Sequence, residues 1–162
     1  MRTTASSFTG IPDNISDVLA KIIHFTQLRR AVLYRNMQGL STPGYVPKDL
    51  PVLEFAEVLD GAISEHIQHH RLLYRDTANI KFGRGSTMQV RSMTDNHAKA
   101  LVETNRDEYL DLQINKLLEN CLHHRAAEEL MRQDSAPALG LLEADLDEVA
   151  VDDLPSQANS TD

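Results

Sequence analysis

Residues 36–45 decide how the chain is organised, and they read Asn36-Met37-Gln38-Gly39-Leu40-Ser41-Thr42-Pro43-Gly44-Tyr45. Gly39 can adopt the left-handed conformation that ends a helix, and Pro43 prevents the helix from resuming. The residues from Thr42 to Tyr45 suit a type II turn, in which Pro43 presets φ at the second position and Gly44 supplies a positive φ at the third. This stretch predicts a helix end followed by a tight turn.

A long amphipathic helix is predicted before this turn. Asp13, Asn14 and Ser16 offer side-chain oxygens that can cap its first turn. Apolar residues then recur at intervals of three and four for about 25 residues, which corresponds to a rod of roughly 37 Å. Such a length suggests pairing with another long helix or with neighbouring subunits. Residues 1–13 are expected to form a disordered N-terminus.

An extended arm is predicted after the turn, at about residues 41–52. Val46 and Leu50 each precede a proline, and a residue in that position avoids the α region. A shorter helix follows over about residues 53–74, weakened by Gly61. Residues 76–105 show no sustained period and are expected to be mostly loop, with a strand hint only at 88–93.

A second long helix is predicted over about residues 106–133, with Asp107 and Glu108 in its first turn beside the positive end of the helix dipole. The expected fold is therefore all-α, with one helical domain over residues 14–133. Its long N- and C-terminal helices are expected to pair as an antiparallel, coiled-coil-like hairpin. The predicted pairing interface consists of Ile15, Leu19, Ile22 and Val32 on the first helix and Leu110, Ile114, Leu117 and Cys121 on the last.

The charge distribution argues against nucleic-acid and membrane partners. The formal net charge of -8 arises in residues 134–162, which hold eight acidic residues and no Lys or Arg. The neutral remainder lacks the basic field that binds phosphate backbones or anionic lipid. Residues 134–162 are expected to be a disordered acidic tail. The sequence contains no apolar run long enough to span a bilayer and no apolar signal-peptide core.

Few residues offer catalytic or metal chemistry. His66 and His70 have the four-residue spacing with which two histidines on one helix can bind zinc, but the Glu that a zinc hydrolase places after the first His is missing. Packing or solvation of both rings is the favoured interpretation. Cys121 is the only cysteine, so no internal disulfide can form, and it is interpreted as a small core residue rather than a reactive thiol. We expect no enzymatic activity and no cofactor.

The motif at the end of the first helix resembles the N-terminal signature of flagellar rod and hook proteins. Members of that family end a helix in Asn-x-x-Asn and continue with Thr-Pro-Gly-Tyr. Here the motif residues are Asn36, Gly39, Thr42, Pro43, Gly44 and Tyr45. Gly39 replaces the second Asn, and both residue types tolerate the left-handed conformation.

Further matches narrow the resemblance to the proximal rod protein family. Residues 45–50 resemble its Tyr-x-Ala-basic-Asp segment, Thr94 and His97 its central Thr-x-x-His, and residues 117–122 its Leu-Ala-Glu-Asn segment. His124 stands near the position where a Tyr is usual. The resemblance covers about residues 14–131, and the acidic tail departs from it.

The resemblance implies a structural subunit of the bacterial flagellar basal body that takes part in motility. Such a protein is exported by the flagellar type III apparatus without a cleaved signal and assembles in the periplasmic rod. Its partners would be copies of itself, other rod subunits and proteins at the junction of the rod with the membrane ring. Tyr45 and Phe55 are the predicted aromatic anchors of subunit contacts.

Two other functions remain open at this stage. The first is a cytoplasmic helical adaptor or chaperone whose acidic tail binds partners. The second, which we favour less, is a small helical metal-binding protein centred on His66 and His70.

Overall fold

The structure is a computed structural model, and it describes residues 13–135. Its elements in chain order are α1 (Asp13–Gly39), β1 (Lys48–Asp49), α2 (Val52–His69), β2 (Ile80–Phe82), β3 (Met88–Val90), β4 (Met93–Thr94), α3 (Asn96–Thr104) and α4 (Arg106–Ser135). This part of the chain is mostly helical, but its short strands make the expected all-α class only approximate. The expectations for residues 1–12 and 136–162 lie outside the described residues.

The two long helices, α1 and α4, pack together. Ser16 Oγ donates to Asp134 Oδ2 over 2.9 Å, Thr26 Oγ1 lies 2.8 Å from His124 Nδ1, and Asn36 Nδ2 donates to Gln113 Oε1 over 2.9 Å. Residue numbers thus rise along α1 while they fall along α4. The prediction that the two long helices pack together is confirmed.

The middle of the chain contains more regular structure than its sequence predicts. β1 pairs antiparallel with β4 in the register Lys48↔Thr94, and β2 pairs antiparallel with β3 in the register Lys81↔Gln89. The nine-residue helix α3 follows β4, and the Asp95 side chain caps it by accepting from the N–H of Ala98. The prediction that residues 76–105 are mostly loop was therefore wrong, since each of these elements is too short to show a period.

The helix α2 ends earlier than its sequence predicts. His70 has a φ of 53°, in the left-handed region, and its N–H donates to the carbonyl of His66 over 2.9 Å. This closes α2 at His69 instead of about residue 74. The chain then turns back, so that Tyr74 stacks on Phe82 with ring centroids 5.1 Å apart and lies 4.4 Å from Lys21 Nζ.

Two apolar clusters hold these elements together. The larger cluster joins α1, α2 and the β2–β3 hairpin through Phe25, Leu50, Phe55, Ile80 and Met88. The smaller cluster joins α3 and α4 through Ala98, Leu101 and Tyr109. Burying each of the larger side chains contributes about 1.5–3 kcal/mol. The hairpin and the arm are thereby fixed against α1.

Candidate functional site: the arm, the helix seam and the outer face of α4

The motif residues form the predicted turn. The N–H of Tyr45 donates to the carbonyl of Thr42 over 3.2 Å, and Gly44 has a φ of 73°. A positive φ at the third position is the requirement of a type II turn, and glycine meets it without strain. Thr42, Pro43 and Gly44 are exposed at the surface. The expected role of Gly44 in this turn is confirmed.

Gly39 acts differently from its predicted role. It is the last residue of α1, but it is absent from the positive-φ residues among positions 13–135. A Cβ built on Gly39 would lie 2.5 Å from the ring carbons of Tyr45. Glycine is therefore needed here because the Tyr45 ring packs directly on the backbone. α1 thus ends at Gly39 without a left-handed glycine, and Pro43 follows four residues later.

Asn36 connects α1 to the arm and to α4 through a fully buried side chain. Its Nδ2 donates to the carbonyl of Lys48 over 2.7 Å and to Gln113 Oε1 over 2.9 Å. Its Oδ1 accepts from Tyr45 Oη over 3.0 Å and from the N–H of Lys48 over 3.1 Å. All the hydrogen-bonding capacity of the amide is used, so one residue fixes the arm against both helices.

Tyr109 on α4 extends this network from the opposite side. Its hydroxyl donates to the carbonyl of Asn36 over 2.8 Å, and its side chain is fully buried. Burial raises the pKa of Tyr109 to about 12 and also raises the pKa of Tyr45. Both phenols therefore stay protonated, and both can donate, throughout the physiological pH range.

A network of four charged residues lies beside Asn36. Arg29 on α1 donates to both oxygens of Asp49, over 2.9 and 3.0 Å, and Lys116 on α4 donates to Asp49 over 2.8 Å and also to Asp95. Burial opposes ionisation of Asp49, but the hydrogen bonds from Arg29 and Lys116 outweigh it and lower the Asp49 pKa. The pKa of Asp95 is lowered despite burial because Ala98 and Lys116 donate to it. The network ties the β1–β4 ladder to both long helices.

The seam between α1 and α4 continues this polar character. Asn120 Nδ2 donates to the carbonyl of Thr26 over 2.8 Å, and the Thr26 hydroxyl contacts His124. The residues of α4 that are most buried are Tyr109, Gln113, Asn120 and Ala127. Gln113 Oε1 and Asn120 Nδ2 each have a specific partner on α1, while Gln113 Nε2 is buried without one among the described residues. The paired polar atoms favour one register of the two helices, because a shift would leave them unsatisfied.

The predicted pairing residues divide between buried and exposed positions. On α1, Leu19 is buried, Ile22 and Val32 are partly buried, and Ile15 is exposed. On α4, Leu110, Leu117 and Cys121 are partly buried. Ile114 is 46% exposed, while its neighbour Gln113 is fully buried. The apolar side of α4 is thus rotated away from the seam, and Ile114 does not face α1 as expected.

This rotation leaves an apolar row on the outer face of α4, which we call the outer stripe: Ile114, Leu118 and Leu122. Leu118 is 58% exposed and Leu122 is 69% exposed. Their spacing of four residues places them on one helix face, next to the partly buried Leu117 and Cys121. Residues 13–135 leave all three side chains partly exposed, from 46% for Ile114 to 69% for Leu122. Within the described residues, the outer stripe is therefore in contact with water.

A second apolar surface is a groove between α1, α2 and α4, with a volume of about 330 Å³. Phe25 and Phe55 stack in parallel at its floor, with ring centroids 4.0 Å apart. Leu59 on α2 and Leu130 on α4 line its sides. Because Phe55 is buried against Phe25, it is not the free aromatic anchor that its sequence position predicts, and Tyr45 is also half-buried.

The two histidines considered for metal binding lie at the C-terminal end of α2. The ring centroids of His66 and His70 are 6.5 Å apart and nearly perpendicular. His70 lies one residue beyond α2, at its left-handed C-cap, and the two rings meet edge to face. Among the described residues, no three His, Cys, Asp or Glu side chains are grouped as a metal site.

Several residues of the site carry no clear signal in the sequence. Asp49 and Lys116 look like ordinary surface charges, and Gln113 lies within a helix whose apolar residues point elsewhere. The role of Asp95 could have been predicted from the sequence, because an acidic residue before a short apolar run is a typical helix N-cap.

The comparisons with known proteins do not extend this picture. No protein-family model matches the chain, and no curated protein or solved structure matches it. Within residues 13–135, no helix has the combined length and apolar character needed to cross a bilayer.

Proposed function

We propose that this protein is a structural subunit of the bacterial flagellar basal-body rod, at its proximal end. It assembles with copies of itself and with other axial proteins. The proposal is supported by the resemblance of residues 36–50 and 117–122 to rod and hook proteins. The observation that carries it is the outer stripe, an uncovered apolar row on a helix that is already tied to α1 by polar contacts.

In this proposal α1 and α4 form an antiparallel, coiled-coil-like hairpin that acts as the building unit. Asn36 and the Asp49 network hold the arm on this hairpin, so the turn at residues 42–45 projects as a rigid feature. A rigid subunit loses little conformational entropy when it assembles, which favours polymer formation.

The outer stripe supplies the driving force for assembly. Full burial of one Leu or Ile side chain contributes about 1.5–3 kcal/mol, and three such side chains recur in every subunit. The occupant of the stripe is a terminal helix of the neighbouring axial subunit. Repetition of this contact along the rod makes a modest pairwise affinity sufficient.

The location and partners follow from the same proposal. The chain leaves the cytoplasm through the flagellar type III export apparatus without a cleaved signal and is placed in the periplasmic rod beside the membrane ring. Its role is structural, without catalysis, a cofactor or nucleic-acid binding.

The direct test is to isolate basal bodies from the source bacterium and to detect the protein by quantitative mass spectrometry and immunogold labelling. We expect stoichiometric amounts at the proximal rod. Deletion of the gene should abolish swimming and leave membrane rings without rods. Recovery of the protein only in the cytoplasm, with normal swimming of the deletion strain, would refute the proposal.

The groove between α1, α2 and α4 favours a second function, a cytoplasmic adaptor that binds an apolar helix of a partner. Its apolar lining and volume of about 330 Å³ suit a few side chains of such a helix. In that case Leu59→Asp and Leu130→Asp should abolish partner binding. Substitution of Leu118 and Leu122 should then have no effect.

A further inference from the structure

The β2–β3 hairpin presents unpaired positive charge on a fixed support. Its inner side chains, Ile80 and Met88, are buried in the larger apolar cluster. At its tip the carbonyl of Gly85 accepts from Lys21 Nζ over 3.1 Å. Contacts on both sides thus fix the hairpin to α1. The backbone that carries its outer side chains is therefore fixed against α1.

The outer side of this hairpin carries Lys81, Arg84 and Arg91, which we call the basic hairpin. All three side chains are exposed, and none forms a hydrogen bond or ion pair with residues 13–135. Lys81 and Arg91 line a surface depression of about 400 Å³ together with Asn79 and Gln89, and the Asn79 amide already donates to Glu54 and Met93. Two cations in one depression suit a ligand rich in carboxylates.

The basic residues that precede the hairpin, unlike those on it, lie beside acidic side chains. Arg71 forms an ion pair with Glu65 on α2, and Arg75 lines a cavity with Glu54, Glu57 and Glu65. Their charges are therefore compensated within the described chain. The basic hairpin groups three cations without an ion-pair partner in residues 13–135 on one short unit, whereas Arg35, Lys99 and Arg106, which are also exposed, lie separately on α1, α3 and α4.

The chain itself contains a segment of opposite charge, residues 143–153, which we call the acidic segment. It holds six acidic residues and no Lys or Arg. We infer that the acidic segment binds the basic hairpin of the same chain. This inference does not depend on the proposed function.

Distance permits this contact. Ser16 contacts Asp134 near the end of α4, and Lys21, which contacts the hairpin tip, lies five residues further along α1. Five residues of helix span about 7.5 Å. The eight residues from Ser135 to residue 143 can span up to about 26–29 Å. The linker is therefore long enough for residue 143 to reach the hairpin tip.

The energetics favour an intrachain contact that depends on salt. Each exposed ion pair contributes only about 0.2–1 kcal/mol. Several pairs act together, and the tether gives the acidic segment an effective concentration in the millimolar range, above that of a second copy at ordinary protein concentrations. Raising the salt from about 0.02 M to about 0.5 M shortens the Debye length several-fold and should release the segment.

Paramagnetic NMR on the full chain tests the inference. A nitroxide is attached to Ser156→Cys in a Cys121→Ser background, and amide intensities are compared with the reduced label. At low salt we expect loss of intensity at residues 81–91, with recovery at high salt. Unchanged intensities at residues 81–91 in low salt would overturn the inference.

Charge exchange supplies the control for specificity. Lys81→Glu, Arg84→Glu and Arg91→Glu together should restore the hairpin signals. The same charge change at Arg35, Lys99 and Arg106, exposed residues elsewhere on the chain, should leave the broadening intact. Adding Asp145→Lys, Asp147→Lys and Glu148→Lys to the hairpin variant should bring the broadening back. Failure of this exchange would contradict direct pairing of the two segments.

A mixed sample distinguishes an intrachain contact from one between copies. Isotope-labelled chains without nitroxide are mixed with unlabelled chains that carry it. No broadening in the mixture is the result expected for an intrachain contact. Broadening of the hairpin in the mixture equal to that in the singly labelled sample would overturn the inference in favour of a second copy.

Discussion

The two faces of α4 invert the usual arrangement of an amphipathic helix. The face against α1 buries Gln113 and Asn120, which use hydrogen bonds, while the outer face exposes Leu118 and Leu122. Buried polar groups specify one register because misaligned groups lose their partners, whereas apolar surface supplies affinity without direction. The comparison indicates that the inner face fixes how the two long helices pack, while the outer face is available for the subunit contacts that we propose.

Among substitutions on the inner side of the helix pair, replacing Asn36 should lower the stability of the chain most. Asn36→Ala leaves Tyr45, Lys48 and Gln113 without their buried hydrogen-bond partner. We expect the free energy of unfolding to fall by about 3–5 kcal/mol, because each unsatisfied buried group costs about 1–3 kcal/mol. Urea denaturation measures this change. Asn115→Ala, at an exposed position of α4, is the matched control and should change stability by less than about 0.5 kcal/mol.

If both asparagine substitutions had equal effects, the buried network would not be what fixes the helix pair. A large loss for Asn36 alone would support the role given to the inner face of α4.

Replacing Asp49 should have the next largest effect. Asp49→Asn leaves the buried Arg29 guanidinium without its carboxylate. Removing one partner of a fully buried pair costs about 3–5 kcal/mol, and we expect about 2 kcal/mol here because Lys116 retains Asp95. Asp111→Asn, at an exposed position of α4, is the control.

The stability difference between the native chain and Asp49→Asn should depend on pH with a defined sign. The folded-state pKa values of Asp49 and Asp95 are lowered, so their contribution is complete above the unfolded value of about 3.9 and is lost as the pH falls through the folded values. The stability difference between the native chain and Asp49→Asn should therefore be constant near neutral pH and shrink below about pH 4. A difference that stayed constant down to about pH 2 would contradict the ionic network.

Replacing the two helical glycines by alanine should change stability less, and in opposite directions. Gly39→Ala places a Cβ against the Tyr45 ring and should lower the free energy of unfolding by about 1–2 kcal/mol, because the ring must move away from Asn36. Gly61→Ala, in α2 with open space around it, should raise stability by about 0.5–1 kcal/mol. Thermal denaturation of the two variants checks both signs. A stabilising Gly39→Ala would show that the Tyr45 contact is unimportant.

The sequence predicts the parts of this fold that repeat over many residues or depend on special backbone conformations. The apolar period of α1, its end near Gly39 and the turn at Gly44 all follow from local chemistry. The helix α3 is too short to show a clear apolar period, and the N-cap residue Asp95 is the one local signal of its start. The correct role of Gly39 depends on where the Tyr45 ring lies, which is a tertiary contact.

The orientation of α4 could not be predicted by the same reasoning. Periodicity assigns the inside of a helix to its apolar residues, and on α4 that rule selects Ile114 over Gln113. The actual choice depends on partners distant in sequence: Asn36, 77 residues away from Gln113, and Thr26, 94 residues away from Asn120. Buried polar side chains of this kind carry no local signal.

Substitution of the outer stripe should have the smallest effect on the isolated chain. Leu118→Asp and Leu122→Asp together change stability by less than about 1 kcal/mol, because both side chains are already mostly exposed. Circular dichroism and urea denaturation should give curves close to those of the native chain.

Assembly of this variant in the cell tests the central claim most directly. A strain lacking the native gene is supplied with the double variant of Leu118 and Leu122 or with Leu53→Asp, a matched substitution at a residue of α2 that is 80% exposed. Swimming speed and the amount of the protein in purified basal bodies are then measured. We predict that the outer-stripe variant is stable but missing from rods, while Leu53→Asp assembles normally. Normal rods and swimming with the outer-stripe variant would contradict the account.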